Sequence, residues 1–263
     1  MQCILTALKA ESDPLIASFN LSRSSSFDFP VFVNSTQEIY LIGLGVGKSK
    51  VEYRINKFID KINEPLMQFI NIGVAGSNQS FSEIGEIFLI NKITDEQFGH
   101  FYYPDILIDH SMMESDIVTV MDMVNDKDNI YNSLVDMEAS EIFRVCSPIV
   151  HIHNIAFIKI VSDHMEIDLA NFNGTLISSF ITDKLESIII FLDRFKHLLK
   201  LAQPILSQMD IDWVHKSKEK LLLTETQTKQ LEDKARFYRL RNGSHPLPII
   251  KYDNPSSKLE RKR

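Results

Sequence analysis

The stretch Val135-Asp136-Met137-Glu138-Ala139 sets two carboxylates on either side of a methionine, just before an apolar helical run. A carboxylate can accept two hydroxyl hydrogens at once, so Glu138 pointing into a crevice would hold a vicinal diol. The competing reading is a solvated helix start, with acids near the positive end of the helix dipole. Ser162, Asp163 and His164 end a very apolar strand. Functional acids concentrate at the carboxyl ends of strands in α/β sheets. An Asx turn opening a loop is the alternative for Asp163. Glu11 follows the first apolar run in ALKAESD, and taken alone it reads as surface charge at a helix start.

Two small-residue segments could bring backbone against a ligand. Gly43, Gly45 and Gly47 precede Lys48 and Ser49. The triphosphate-binding loop needs a glycine at position 42, which is Ile42, and the dinucleotide fingerprint needs one at position 48, which is Lys48. What remains is a tight strand-to-helix turn, either purely structural or lining a small-molecule pocket. Asn71-Ile72-Gly73-Val74-Ala75-Gly76 reads as a second such turn. Two turns of this kind at strand ends suggest a crevice. His151 and His153 form an H-x-H pair, but no cysteine cluster or H-E-x-x-H accompanies it, so no metal is expected. There is no G-x-S-x-G elbow to anchor a serine hydrolase.

These residues need elements to hold them. Residues 2–8 read as a buried strand and Glu11 to Phe19 as a helix. Residues 31–33 and 38–43 suit a hairpin, and 48–62 a helix. Residues 67–72, 85–93, 116–124 and 155–161 read as further strands, and 138–149 and 178–202 as helices. Alternating strands and helices predict an α/β fold with a mainly parallel sheet. Past Trp213 the texture changes. Thr224 can cap a polar helix over about 224–240, with Leu231, Ala235 and Tyr238 on one narrow face. From Asn242 a Gly, three Pro and Ser-Ser predict an extended or disordered end. The expected division is a domain over 1–212 and a basic extension over 213–263.

The chain has 263 residues, 44% hydrophobic and 24% charged, which is ordinary globular composition and enough for one or two self-sufficient cores. No apolar run reaches about 18 residues, so no membrane span is expected. No leader sequence is read at the start, and a cytoplasmic location is expected. Cys3 and Cys146 sit in apolar runs and read as buried thiols. Residues 1–212 carry net charge −14 and 213–263 carry +7. The acidic body is a poor nucleic-acid surface. The basic end could touch a polyanion, dock on the acidic body or stay solvated.

Taken in order, ALKAE, GLGVGK, NIGVAGS, VDMEAS and VSDH resemble the purine nucleoside phosphorylase/nucleosidase superfamily, most nearly the methylthioadenosine/S-adenosylhomocysteine nucleosidases, over roughly residues 2–200. The resemblance implies a central mixed, mainly parallel sheet flanked by helices. It also implies hydrolysis of a purine nucleoside's N-glycosidic bond, without a cofactor, by a homodimer or larger assembly. On this likeness Glu11 activates the attacking water, Glu138 holds the ribose hydroxyls and Met137 packs on sugar and base. Asp163 donates a proton to purine N7, with Ser162 beside it. Val46, Ala75 and Gly76 line the pocket, and Met123 and Val124 fall where the base is bound through backbone.

Departures accompany the likeness. Phosphorylases place an arginine and a serine where this chain has Asn71 and Val74, so a phosphate dianion would lack bidentate guanidinium support. Water is therefore the expected nucleophile. Lys159 stands near where an arginine is common. The rival readings are a phosphorylase using Lys159 or Lys48 for phosphate, a nucleoside sensor without turnover, and an extension that recruits the domain to RNA or a protein complex.

Overall fold

The computed structural model describes residues 1–36, 38–62, 64, 67–124, 130–165, 173–201, 206–243 and 245–248. The chain divides into two compact units, Met1–Ala202 and Gln203–Arg263, ten residues before the compositional change at Trp213. Among the described residues, no helix is long and apolar enough to cross a membrane.

In the first unit the uninterrupted apolar runs become the sheet interior. β1 (Gln2–Thr6) is buried along its whole length, and β5 (Gln68–Gly76) and β10 (Ile155–Asp163) nearly so. Strands covered on both faces read as continuous hydrophobic runs, which is what parallel packing requires. β4 (Ile39–Gly43), β1, β5 and β10 lie side by side and parallel. β2 (Ser22–Arg23) and β3 (Val31–Asn34) extend the sheet antiparallel beyond β4. On the other side, β6 (Ile87–Asp95) pairs antiparallel with β10 and with β7 (His100–Tyr102), and parallel with β8 (Met113–Thr119). β8 pairs with β9 (Leu134–Asp136), and Val135 of β9 bridges back to Gly76 of β5. The path β5–β10–β6–β8–β9 therefore closes on itself.

Helices cover the faces. α1 (Lys9–Ser18) follows β1, α2 (Val51–Ile62) follows the glycine turn and a short 3₁₀ turn at 48–50, and α3 (Ala139–Cys146) follows β9. The expected helix over 178–202 is two helices, α4 (Gly174–Asp183) and α5 (Leu185–Leu201), parted at Lys184. Pro14 lies inside α1 and has no N–H for the Ala10 carbonyl. Ser178 Oγ of α4 fills that vacancy at 2.7 Å, tying the two helices together. At the opposite end of the sheet, Gln2 and Gln68 donate to the carbonyls of Leu192 and Phe195, fixing α5 with buried, satisfied amides.

The segment Asn71–Gly76, expected as a turn, is the continuation of β5, hydrogen-bonded through Gly76 on the β10 side. Its small residues serve close packing rather than reversal. The expected strand over 116–124 starts earlier and ends at Thr119.

The second unit holds α6 (Gln208–Leu221) and α7 (Glu225–Asn242). Thr224 caps α7, accepting from Gln227 N, as its position predicts. Leu206, Val214, Ala235 and Leu247 form its small core, beside an Asp210–Arg239 ion pair. Most of the expected extended end lies outside the described residues.

Phe157 is fully buried in β10 and stacks on Phe143 of α3, with centroids 6.4 Å apart. Phe157→Ala should lower the unfolding free energy by about 3–5 kcal/mol, read from urea denaturation.

Candidate active site

A cavity of about 470 Å³ opens where β1, β5, β9 and β10 end. Brought together around it are Glu11, Val46, Ala75, Gly76, Met123, Val124, Met137, Glu138, Ser162 and Asp163, the residues to which the resemblance gives a place in the pocket. They come from six separate segments, so their convergence is a product of topology. The carboxyl ends of parallel strands are where α/β sheets place ligands.

Glu11 is the third residue of α1, and its carboxylate turns back toward the helix start. Oε2 accepts from Ala7 N and Leu8 N, both at 2.8 Å, and Oε1 accepts from Val74 N at 3.0 Å. Burial pushes its pKa up, while the Leu8, Val74 and Ala7 N–H groups and Lys159 oppose that rise. This approach depends on Gly73. A Cβ there would stand 2.7 Å from Glu11 Oε1.

Glu138 holds the N-cap position of α3 with its side chain turned from the helix, and its Oε1 accepts from Gly47 N at 2.7 Å. Gly47 has φ +81, a conformation that favours glycine, and it is what turns this N–H toward the carboxylate. The glycine turn is thus part of the site through its backbone. Burial first, and then the neighbouring Asp136 charge, push the Glu138 carboxyl up to about 7, against Lys159 and the Gly47 N–H.

Asp163 ends β10. Its Oδ2 accepts from Ser162 Oγ at 2.6 Å and its Oδ1 from Met165 N at 2.8 Å. Gly76 leaves the room. A Cβ there would meet Met165 Cγ at 2.8 Å and Asp163 Oδ1 at 3.3 Å. Met137 and Val124 pack with Val120, Val135 and Met165 along one wall, while Val46 and Met123 are exposed at the mouth.

The structure gives ion-pair partners to the two lysines that the sequence offers only as rival phosphate ligands, and adds residues of α4 to the site. Lys159, fully buried, pairs with Asp136 Oδ2 at 2.8 Å. Asp136 also accepts from Thr119 Oγ1 at 2.8 Å and from Ala139 N at 3.0 Å. Lys48 pairs with Asp95 at 2.8 Å, and Ser140 Oγ donates to the same oxygen. Leu176, Ile177 and Phe180 of α4 supply an apolar wall. A lone lysine inside IAFIKIV was the available signal for Lys159, since a charge in a fully buried strand needs a partner. His151 and His153 stack on each other with centroids 5.3 Å apart, and among the described residues no metal-binding group of three forms.

No family model and no curated protein sequence matches the chain. Solved structures do. A 5′-methylthioadenosine/S-adenosylhomocysteine nucleosidase from S. pneumoniae is 17% identical, with a TM-score of 0.61, over 74% of this chain and 99% of its own. The 5′-methylthioadenosine nucleosidase of Arabidopsis thaliana is 16% identical, with a TM-score of 0.58, over 72% and 94%. The futalosine hydrolase of Helicobacter pylori is 16% identical, with a TM-score of 0.57, over 73% and 97%.

The dependence of Glu11 on Gly73 can be measured. Gly73→Ala should cost about 1–3 kcal/mol of unfolding free energy through overpacking. The same methyl should cost little in a Glu11→Ala background, a coupling that a double-mutant cycle reads directly. The strand order, the cavity at the strand ends and the solved structures that superpose on them agree: the chain has the nucleoside phosphorylase/nucleosidase fold.

Proposed function

We propose that this protein hydrolyses the N-glycosidic bond of a purine nucleoside, a 5′-modified adenosine such as methylthioadenosine or S-adenosylhomocysteine. One observation carries the reading: Glu11, Glu138 and Asp163 converge on one cavity, each with its oxygens oriented by hydrogen bonds. In this reading Asp163 delivers a proton to N7 of the leaving purine as the bond from the sugar to the base breaks. Glu11 takes a proton from the water that attacks the anomeric carbon. Glu138 accepts the two ribose hydroxyls and steadies the sugar while it carries oxocarbenium-like charge. The products are the free base and the free sugar.

Water is favoured over phosphate by the commitments of the two lysines. Lys48 is paired with Asp95, and Lys159 with Asp136. Asn71 Nδ2 donates to the Leu5 carbonyl, away from any anion. The mouth of the cavity carries Val46, Ile84, Met123 and Leu176, all apolar and all about half exposed, which suits a substituent that is apolar next to the sugar.

Free purine should appear in phosphate-free buffer when a panel of nucleosides is offered, and strict phosphate dependence would refute hydrolysis. Asp163→Asn and Glu11→Gln should each slow release by about 10²–10⁴-fold while nucleoside binding persists. Unchanged turnover in either variant removes that residue from the chemistry.

Binding should also depend on pH. The ionised form of Glu138 is the better acceptor for two hydroxyls, and burial with the neighbouring Asp136 charge pushes this carboxyl up to about 7. Calorimetry should show nucleoside affinity falling about tenfold for each pH unit below that midpoint and levelling above it. The Glu138→Gln variant should bind weakly and without this slope.

A further inference from the structure

Three buried carboxylates line this cavity, and a single buried ammonium is paired with one of them. Glu11 is 2% exposed, Asp136 and Glu138 6%, and Lys159 1%. Lys159 is the one fully buried cation among the described residues. In the parallel register of β5 and β10 it lies opposite Gly73, whose free face is occupied by the Glu11 carboxylate. Paired residues on parallel strands project to the same side of the sheet. Lys159 is therefore directed to the side where Glu11 sits, and its contact is the Asp136 carboxylate, two residues before Glu138, at 2.8 Å.

Asp136 takes three donors, Lys159, Thr119 Oγ1 and Ala139 N, as many as Glu11 takes from backbone, but it alone holds the ammonium. Glu138 has one N–H partner, from Gly47. The charged groups around Glu138 are Asp136 on β9, Lys159 on β10 and Glu11 on α1. Asp163 and His164 line the same cavity, and Lys48, next to Gly47, is turned to Asp95. Burying this many charges is tolerable only if one cation and a shared proton offset them. The ammonium is committed to Asp136, and Glu138, with one N–H partner, is the carboxylate left to respond to the charges beside it.

We propose that Lys159 is a positioning residue of this site that acts through Asp136: their buried ion pair sets the charge state of Glu138 and so the pH range in which the site grips a vicinal diol. The inference takes its substrate from the nucleosidase reading, but its charge chemistry stands on the ion pair itself.

The test is the titration of Glu138 in the ligand-free, full-length protein, followed by carbon-13 NMR of labelled glutamate carboxyls and assigned by loss of the signal in Glu138→Gln. The wild-type midpoint is expected at about 7. Asp136→Asn leaves the ammonium facing Glu138 without its partner, and the midpoint should fall by about one unit or more. Asp136→Asn/Lys159→Met removes both charges and should return it to within about half a unit of wild type. Lys159→Arg should leave it in place. Asp136→Ser, which keeps an oxygen for Ala139 N, serves if the asparagine variant does not fold. A pair that is merely structural would lower stability and leave the midpoint unmoved in the single variant, and that result overturns the proposal. So does a double variant that stays as low as the single one. In the same variants the acid limb of purine release should move with the NMR midpoint, and a limb that stays fixed overturns the positioning role. Midpoints that move as stated in a protein that releases no purine would instead refute the nucleosidase reading and leave the ion pair's role intact.

Discussion

A buried ammonium touching a buried carboxylate is the constraint around which this site is arranged. Removing either ion from water costs several kcal/mol, and attraction repays that only where the geometry is good and the remaining lone pairs are satisfied. Lys159 and Asp136 meet that condition, because Thr119 and the first N–H of α3 complete the carboxylate's shell. The pair also fixes where elements must lie. β9 has to end beside β10, and α3 has to start there, or Asp136 loses its partners.

The remaining anions are held by backbone. Glu11 draws three N–H groups from the start of α1 and from β5, and Glu138 draws one from the glycine turn. Backbone donors are fixed by the fold and need no side-chain ordering, so the carboxylates stay aimed while the cavity is empty. That is the preorganisation on which electrostatic catalysis relies. The glycines follow from this. Gly73 and Gly76 make room for Glu11 and for Asp163 with Met165, and Gly47 turns its N–H to Glu138.

Much of this was readable in the sequence because apolar periodicity and acidic residues at strand ends are local signals. The apolar runs 2–8 and 155–161 announce the buried strands β1 and β10, and VDME marks the start of α3. What was not readable depended on contacts between distant segments. Gly73 looked like a turn residue because composition cannot distinguish a glycine that bends the chain from one that admits a carboxylate from 62 residues earlier. The break between α4 and α5 at Lys184 left no mark in the apolar spacing. Lys159 reads from the sequence as a replacement for arginine or a rival phosphate ligand, and its pairing is not legible because Asp136 is brought to it by the closure of β9 onto β5.

That closure also bears on how the protein behaves in a crowded solution. β5, β6 and β10, each nine residues long, all have strand neighbours on both sides. Among the described residues the sheet ends at β2 and β7, two and three residues long. Edges so short make poor templates for another chain to add to, so the ladder that frames the cavity also guards against strand exchange and fibre growth.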